Sequence, residues 1–139
     1  MHLLDTDTLT RLYAGNRNVA ERFRSVNDPD TGTTIITKVE ILRGRIDYLL
    51  KATTGDDLLR AQNLFLQSEA SLSRILIVPF NEAATEQFDR LVALRNLRKI
   101  GRADLLIASI VLANRAVLVT RNMRHFRQFP GVMIENWVD

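Results

Sequence analysis

The chain contains no cysteine, which excludes disulfides, thiolate nucleophiles and cysteine-ligated zinc together. No apolar run approaches the ~20 residues needed to cross a bilayer. No basic segment leads into an apolar one at the N-terminus, so no secretory signal is expected and a cytoplasmic setting is. Internal repeats, low-complexity tracts and interdomain linkers are also missing. Acids are scarce in one stretch. From Arg95 to Arg127 the basic residues Arg95, Arg98, Lys99, Arg102, Arg115, Arg121, Arg124 and Arg127 face a single acid, Asp104. The rest of the chain is slightly acidic, and the net charge is only +3. Such asymmetry suits a polyanion, because Arg and Lys release counterions from phosphates. A solvated basic face balanced by acids elsewhere is the plainer alternative.

What is present points to one globular domain spanning residues 1–139, with 46% apolar and 25% charged residues. Short apolar or β-branched runs at His2 to Leu4, Thr33 to Ile36, Ile75 to Val78, Val117 to Val119 and Val132 to Ile134 read as strands. Helices are expected over Thr8 to Tyr13, Asn18 to Val26, Lys38 to Leu50, Leu58 to Leu72, Glu82 to Leu94 and Asp104 to Ala113. A helical turn is expected over His125 to Phe129. The segment DLLIASIVLA (Asp104 to Ala113) is apolar nearly all round, so that helix should be buried. Asn81 and the Thr54-Gly55-Asp56 break supply caps. Strands alternating with helices imply a parallel sheet covered on both faces. In such sheets, function gathers in the crevice at the carboxyl edge.

Four places supply that edge. HLLDTDTL carries Asp5 and Asp7 off the first strand, where either could simply cap the next helix. ITKVEILRG places Glu40 one turn into the helix after the second strand. Thr37 to Glu40 also has the form of a capping box, in which Glu40 would reach back to the Thr37 N–H. IGRADLLIAS puts Asp104 at the head of the buried helix, favoured there by the helix dipole. VLVTRNMRHF brings Asn122 off the fourth strand, with His125 a turn later as a ligand or, more plainly, a surface or packing residue. Carboxylates meeting at one edge repel unless a cation sits among them. Mg²⁺ or Mn²⁺, hard ions preferring oxygen, are the natural choice. A metal amid basic residues suits phosphodiester hydrolysis.

At LLDTDTL, ITKVEILRG, IGRADLLIAS, VLVTRNMRHF and the closing MIENW the chain resembles the PIN-domain ribonucleases, specifically the VapC-like toxins of prokaryotic toxin–antitoxin pairs. The resemblance spans almost the full length. It implies a three-layer α/β/α sandwich around a mainly parallel sheet of about five short strands. It implies Mg²⁺- or Mn²⁺-dependent endoribonuclease activity on structured RNA such as transfer or ribosomal RNA, leaving 5′-phosphate and 3′-hydroxyl ends. A VapB-like antitoxin that inhibits the enzyme and a homodimer are implied as well. Asp5, Glu40 and Asp104 fall where the family holds its main metal-binding acids. Asn122 falls where many members carry a fourth acid, although asparagine is common there among VapC-like chains. Asp7, where such toxins usually have asparagine, would add a ligand or orient water. Arg95, Arg98, Lys99, Arg102, Arg121, Arg124 and His125 are the candidates for gripping RNA.

Three other readings stay open. Asp-x-Asp after a first strand is also the signature of haloacid-dehalogenase-like phosphatases, but the late motif here has one acid and Leu9 stands where Thr or Val is expected. A metal-free ribonuclease would need the only two histidines, His2 and His125. A non-catalytic domain that binds RNA or antitoxin would keep the basic crevice and lose the chemistry. Apolar positions in the helices Lys38 to Leu50 and Leu58 to Leu72 could line an antitoxin groove or simply face the core.

Overall fold

The computed structural model describes residues 1–139. Five strands, β1 (His2–Leu4), β2 (Thr31–Thr34), β3 (Leu76–Val78), β4 (Val117–Val119) and β5 (Met133–Glu135), form one sheet in the order β3-β2-β1-β4-β5. Every pairing is parallel. The helices are α1 (Thr6–Tyr13), α2 (Arg17–Ser25), α3 (Ile35–Leu50), α4 (Gly55–Leu72), α5 (Glu82–Val92), α6 (Arg102–Ala113) and α7 (Met123–Phe126). A single 3₁₀ turn occupies Arg95–Leu97. No helix is long and apolar enough to cross a membrane.

Alternation along each strand divides the core in two. Leu3 and Leu118 point to one face, where they join Ala84 and Leu91 of α5 and Ile107, Ala108, Ile110 and Val111 of α6. Leu4 and Val119 point to the other, onto Leu9 of α1, Val19 of α2, Leu72 of α4 and Trp137. The expected three-layer α/β/α arrangement is therefore present. The buried character of α6 holds too, with six of its residues inside.

Boundaries moved where local polar chemistry outweighed propensity. Ile35 and Ile36, expected in β2, open α3 instead, because the Thr34 hydroxyl accepts the Thr37 N–H and caps the helix there. The expected capping box between Thr37 and Glu40 is thus absent: Thr37 lies inside the helix, and the Glu40 side chain is engaged elsewhere. The helical turn expected over His125 to Phe129 is α7, which starts two residues earlier, at Met123. Asn81 and Thr54 do cap α5 and α4, accepting the N–H of Ala84 and of Asp57. Apolar positions of α3 and α4 divide between core and surface. Ile41 and Leu42 pack on the core, whereas Val39, Ile46, Tyr48, Leu50, Leu58, Leu59 and Leu66 are exposed.

β1 lies between β2 and β4, so anything leaving its carboxyl end is flanked on both sides. Its other end is pinned by His2, whose Nδ1 lies 2.6 Å from Asp28 Oδ2 in the turn before β2. That hydrogen bond, with one from the Asp30 N–H, holds Asp28 at about 2, below the usual 3.8. A depressed carboxylate adds stability above its unfolded value and loses it as the pH falls through the folded one. Asp28→Asn should therefore lower Tm at neutral pH, and the gap from wild type should close between pH about 4 and about 2 in a melting series. At Gly32 of β2 a Cβ would lie 2.2 Å from the Leu76 carbonyl oxygen of β3. Gly32→Ala should cost about 1–3 kcal/mol in denaturant unfolding, because backbone must move to admit it.

Candidate active site

Where β1 ends, the Asp5 N–H donates to the Val119 carbonyl of β4, and the Asp5 side chain turns back to cap α1. Its Oδ1 accepts the Thr8 N–H at 2.9 Å. The residue is only 8% exposed. Burial pushes the Asp5 carboxyl above the ordinary range, and the nearby Asp7 charge adds to this. The Thr120 hydroxyl, the Thr8 N–H and the Thr8 hydroxyl pull the other way without cancelling it. Thr8 Oγ1, buried beside that carboxylate, is the only buried side-chain oxygen or nitrogen lacking a well-aligned partner.

Above Asp5 lies an open recess of about 360 Å³ lined by Asp5, Asp7, Arg121 and Asn122, with no apolar side chain. Asp7 is exposed and pairs with Arg11 one turn along α1, 3.0 Å away. Asn122 precedes α7, and its N–H donates to the Thr120 hydroxyl at 3.0 Å, so a local turn at the end of β4 sets its position. Arg121 meets Asp139 through both Nε and a terminal nitrogen, at 3.2 and 3.3 Å. A larger hollow of about 620 Å³ lies between α2 and the last residues, away from Asp5. It holds no comparable set of acids around a buried carboxylate.

Glu40 and Asp104 do not line this recess and have partners of their own. Glu40 Oε1 accepts the hydroxyl of Thr6, the residue after Asp5, at 2.6 Å. That hydroxyl also lies 3.1 Å from the Thr37 hydroxyl, which ties α3 to the start of α1. Asp104, in the first turn of α6, makes no cap bond; Gly101 precedes the helix, and Asp104 Oδ2 lies 2.8 Å from His125 Nε2. No three Asp, Glu or His side chains lie close enough together to form a ready-made metal cage. The compact group is Asp5, Asp7 and Asn122, with Glu40 joined to it through Thr6 and Asp104 through the α7 segment.

Arg95, Arg98, Lys99, Arg102 and Arg124 are exposed, and none has a carboxylate partner within 4 Å. Arg102 lies over the Phe88 ring at 5.5 Å. His2 is bonded to Asp28 and tilted against Trp137, whereas His125 is bonded to Asp104, so the two histidines share no partner. Sequence reasoning missed Thr6, Thr8, Thr120 and Asp139. The threonines look like ordinary β-branched residues near strands, and only their spacing around Asp5 in three dimensions gives them a task.

Residues 2–132 match the PIN domain family. The chain belongs to that family. Over 68 residues it is 38% identical to ribonuclease VapC2 of Rickettsia felis, a stretch covering 48% of this chain and 51% of that protein. The chain thus spans about half the length of the curated relative it matches. Among solved structures, it is similar to VapBC2 of Rickettsia felis bound to a DNA fragment from its promoter, with 24% identity, a TM-score of 0.75 and 98% of each chain covered. DNA-bound VapBC of Salmonella typhimurium gives 24% identity and a TM-score of 0.80, covering 98% of this chain and 97% of that one. At such identities these likenesses concern the fold.

The donor set fits a hard divalent cation. All donors are oxygens, one carboxylate is buried and raised by its own desolvation, and Mg²⁺ typically takes one or two carboxylates while keeping waters. An ionised, partly desolvated Asp5 costs the metal-free fold stability at neutral pH. Asp5→Asn keeps the cap and removes the charge, so it should raise the metal-free Tm at pH 7 by about 2–5 °C. Millimolar Mg²⁺ should raise the wild-type Tm and leave that of Asp5→Asn nearly unchanged in the same scanning-fluorimetry series.

Proposed function

We propose that this chain is a VapC-like, metal-dependent endoribonuclease toxin. The observation that carries the reading is the polar recess at the carboxyl edge, where Asp5, Asp7 and Asn122 meet beside an exposed, basic segment. Asp5, Asp7, Glu40 and Asp104 would hold Mg²⁺ or Mn²⁺. When bound, such an ion supplies positive charge against the attacked phosphate and acidifies the attacking water. Asp5 provides a carboxylate whose orientation is set by the α1 cap. Asn122 adds an amide that orients water or phosphate oxygen without adding charge. Asp7, exposed and paired with Arg11, is placed to accept a proton from water at the recess mouth.

Substrate contact follows from the charge distribution. Arg95, Arg98, Lys99, Arg102 and Arg124 present cations with no internal acid to satisfy, which suits phosphates on both sides of the scissile bond. Arg121 lines the recess itself and would exchange Asp139 for a phosphate oxygen. Structured RNA, such as a transfer RNA loop, suits an open recess better than a narrow slot. Hydrolysis by water would leave 5′-phosphate and 3′-hydroxyl ends. Val39, Ile46, Tyr48 and Leu50 of α3 and Leu58, Leu59 and Leu66 of α4 are exposed, Leu59 to 60% and Leu50 to 78%, and apolar surface there would suit an interface. An antitoxin segment and a second copy of the chain are the partners this reading places on it.

Incubation of purified, antitoxin-free protein with total RNA tests the reading. Discrete fragments carrying 5′-phosphates should form with Mg²⁺ or Mn²⁺ and vanish in EDTA. Asp5→Asn and Asp104→Ala should each lower the rate by about 100-fold or more, since several kcal/mol of charge stabilisation is at stake. Wild-type rates in a folded variant of either acid would remove the site assignment. Full activity in EDTA with 2′,3′-cyclic phosphate ends would instead revive chemistry on His2 and His125, and an aspartyl-phosphate trapped on Asp5 would revive the phosphatase.

A further inference from the structure

A carboxylate in the first turn of a helix ordinarily folds back onto a free backbone N–H. Asp104 does not. Gly101, which has no side chain, precedes α6, and Asp104 instead reaches His125 Nε2 on α7 at 2.8 Å. A carboxylate can only accept in this contact, so Nε2 carries the proton. One Asp104 oxygen is thereby fixed and the other is left free.

The donor is itself held firmly. The His125 ring meets Phe126 edge-on at 5.3 Å and Phe129 edge-on at 6.3 Å, and these two rings stack on each other at 5.5 Å. Both phenylalanines are 2% exposed and belong to the core cluster that contains Ile107 and Ala108 of α6. The imidazole is therefore braced by the same core that supports the Asp104 helix. It also sits three residues beyond Asn122, on the short helix that Asn122 starts. One contact thus ties the position of Asp104 to that of the recess. The ring's hydrogen bond thus goes to an acid of the neighbouring helix, a different task from the RNA-gripping role expected from sequence.

We propose that His125 is a positioning residue, whose Nε2–H orients the Asp104 carboxylate toward a divalent cation held at the carboxyl edge of the sheet. This rests on the metal-dependent reading above. The bond it makes is the kind that an outer partner makes to a metal-binding carboxylate, where its loss weakens metal binding about 10–100-fold.

Calorimetric titration of Mn²⁺ into full-length protein, without RNA, tests the proposal alongside thermal melts of the metal-free forms. Asp104→Asn should lose most Mn²⁺ affinity and serves as the reference. His125→Phe keeps an aromatic ring on Phe126 and Phe129 but has no donor; it should raise the Mn²⁺ Kd by about 10-fold or more. His125→Gln restores an N–H at similar reach and should return the Kd to within about threefold of wild type, whatever its Tm. Equal Mn²⁺ binding by the Phe and Gln variants, whether both weak or both wild-type, would overturn the positioning role. Should Asp104→Asn bind Mn²⁺ as wild type does, the failure would belong to the site assignment and not to His125. A purely structural role would lower Tm in both His125 variants without separating their Kd values.

Discussion

Asp5 is caught between two demands, and much of the recess is arranged around the compromise. It leaves the central strand of a parallel sheet, so strands lie on both sides and a helix starts directly above. That position removes water from its carboxylate and raises its pKa. Hydrogen bonding offsets part of the cost: the Thr8 N–H binds one oxygen, and the Thr120 and Thr8 hydroxyls lie close to the group. These neighbours stabilise the charged form only partially. On the proposed reading a cation would meet that deficit, so capping and ion binding would be compatible at one residue. The cap fixes Oδ1, while burial leaves an electrostatic demand that a backbone N–H does not meet.

The surrounding charges are sorted in the same sense. Asp7 is offset by Arg11 on its own helix, and Arg121 by Asp139, so the mouth of the recess is lined by exposed pairs of low net worth. Because such pairs contribute little, they exchange readily for a phosphate or a hydrated ion. The cations of the Arg95 to Arg102 stretch and Arg124 have no acid to give up. On the proposed reading an incoming polyanion would meet unpaired cations first and break weak pairs only at the recess itself. That order, long-range attraction and then local exchange, would depend on ionic strength as counterion release requires.

The fold was legible in the sequence because four of the strands and α6 are written in apolar runs, which depend on burial alone. Those strands and the main helices stand where expected, whereas β2 is Thr-Gly-Thr-Thr and meets its expected range only at Thr33 and Thr34. Errors fell at junctions. Thr33, Thr34, Ile35 and Ile36 are equally β-branched, so propensity could not tell where β2 stopped; a single hydroxyl-to-N–H bond at Thr34 decided it. That one shift also removed the capping box, since Glu40 became a residue in the second turn instead of the first. The acids themselves were legible by type and order. Their partners were not, because Thr6, Thr120 and His125 are 34, 115 and 21 residues from Glu40, Asp5 and Asp104, and nothing local marks those pairings.

The three acids Asp5, Glu40 and Asp104 show how little a shared sequence context settles. Each lies at the start of a helix on one sheet edge, and capping was the economical account of all three. Only Asp5 caps. Glu40 is one turn too deep into α3 and bonds Thr6; Asp104 bonds His125 in place of its own helix. Both are held by hydroxyl or imidazole donors from other elements, and on the reading proposed above those donors aim them. Maintaining such long-range donors constrains several elements at once, and a merely local cap would not demand it. On that reading their target is the carboxyl edge above β1, where burial holds the one buried carboxylate of the chain above its ordinary pKa.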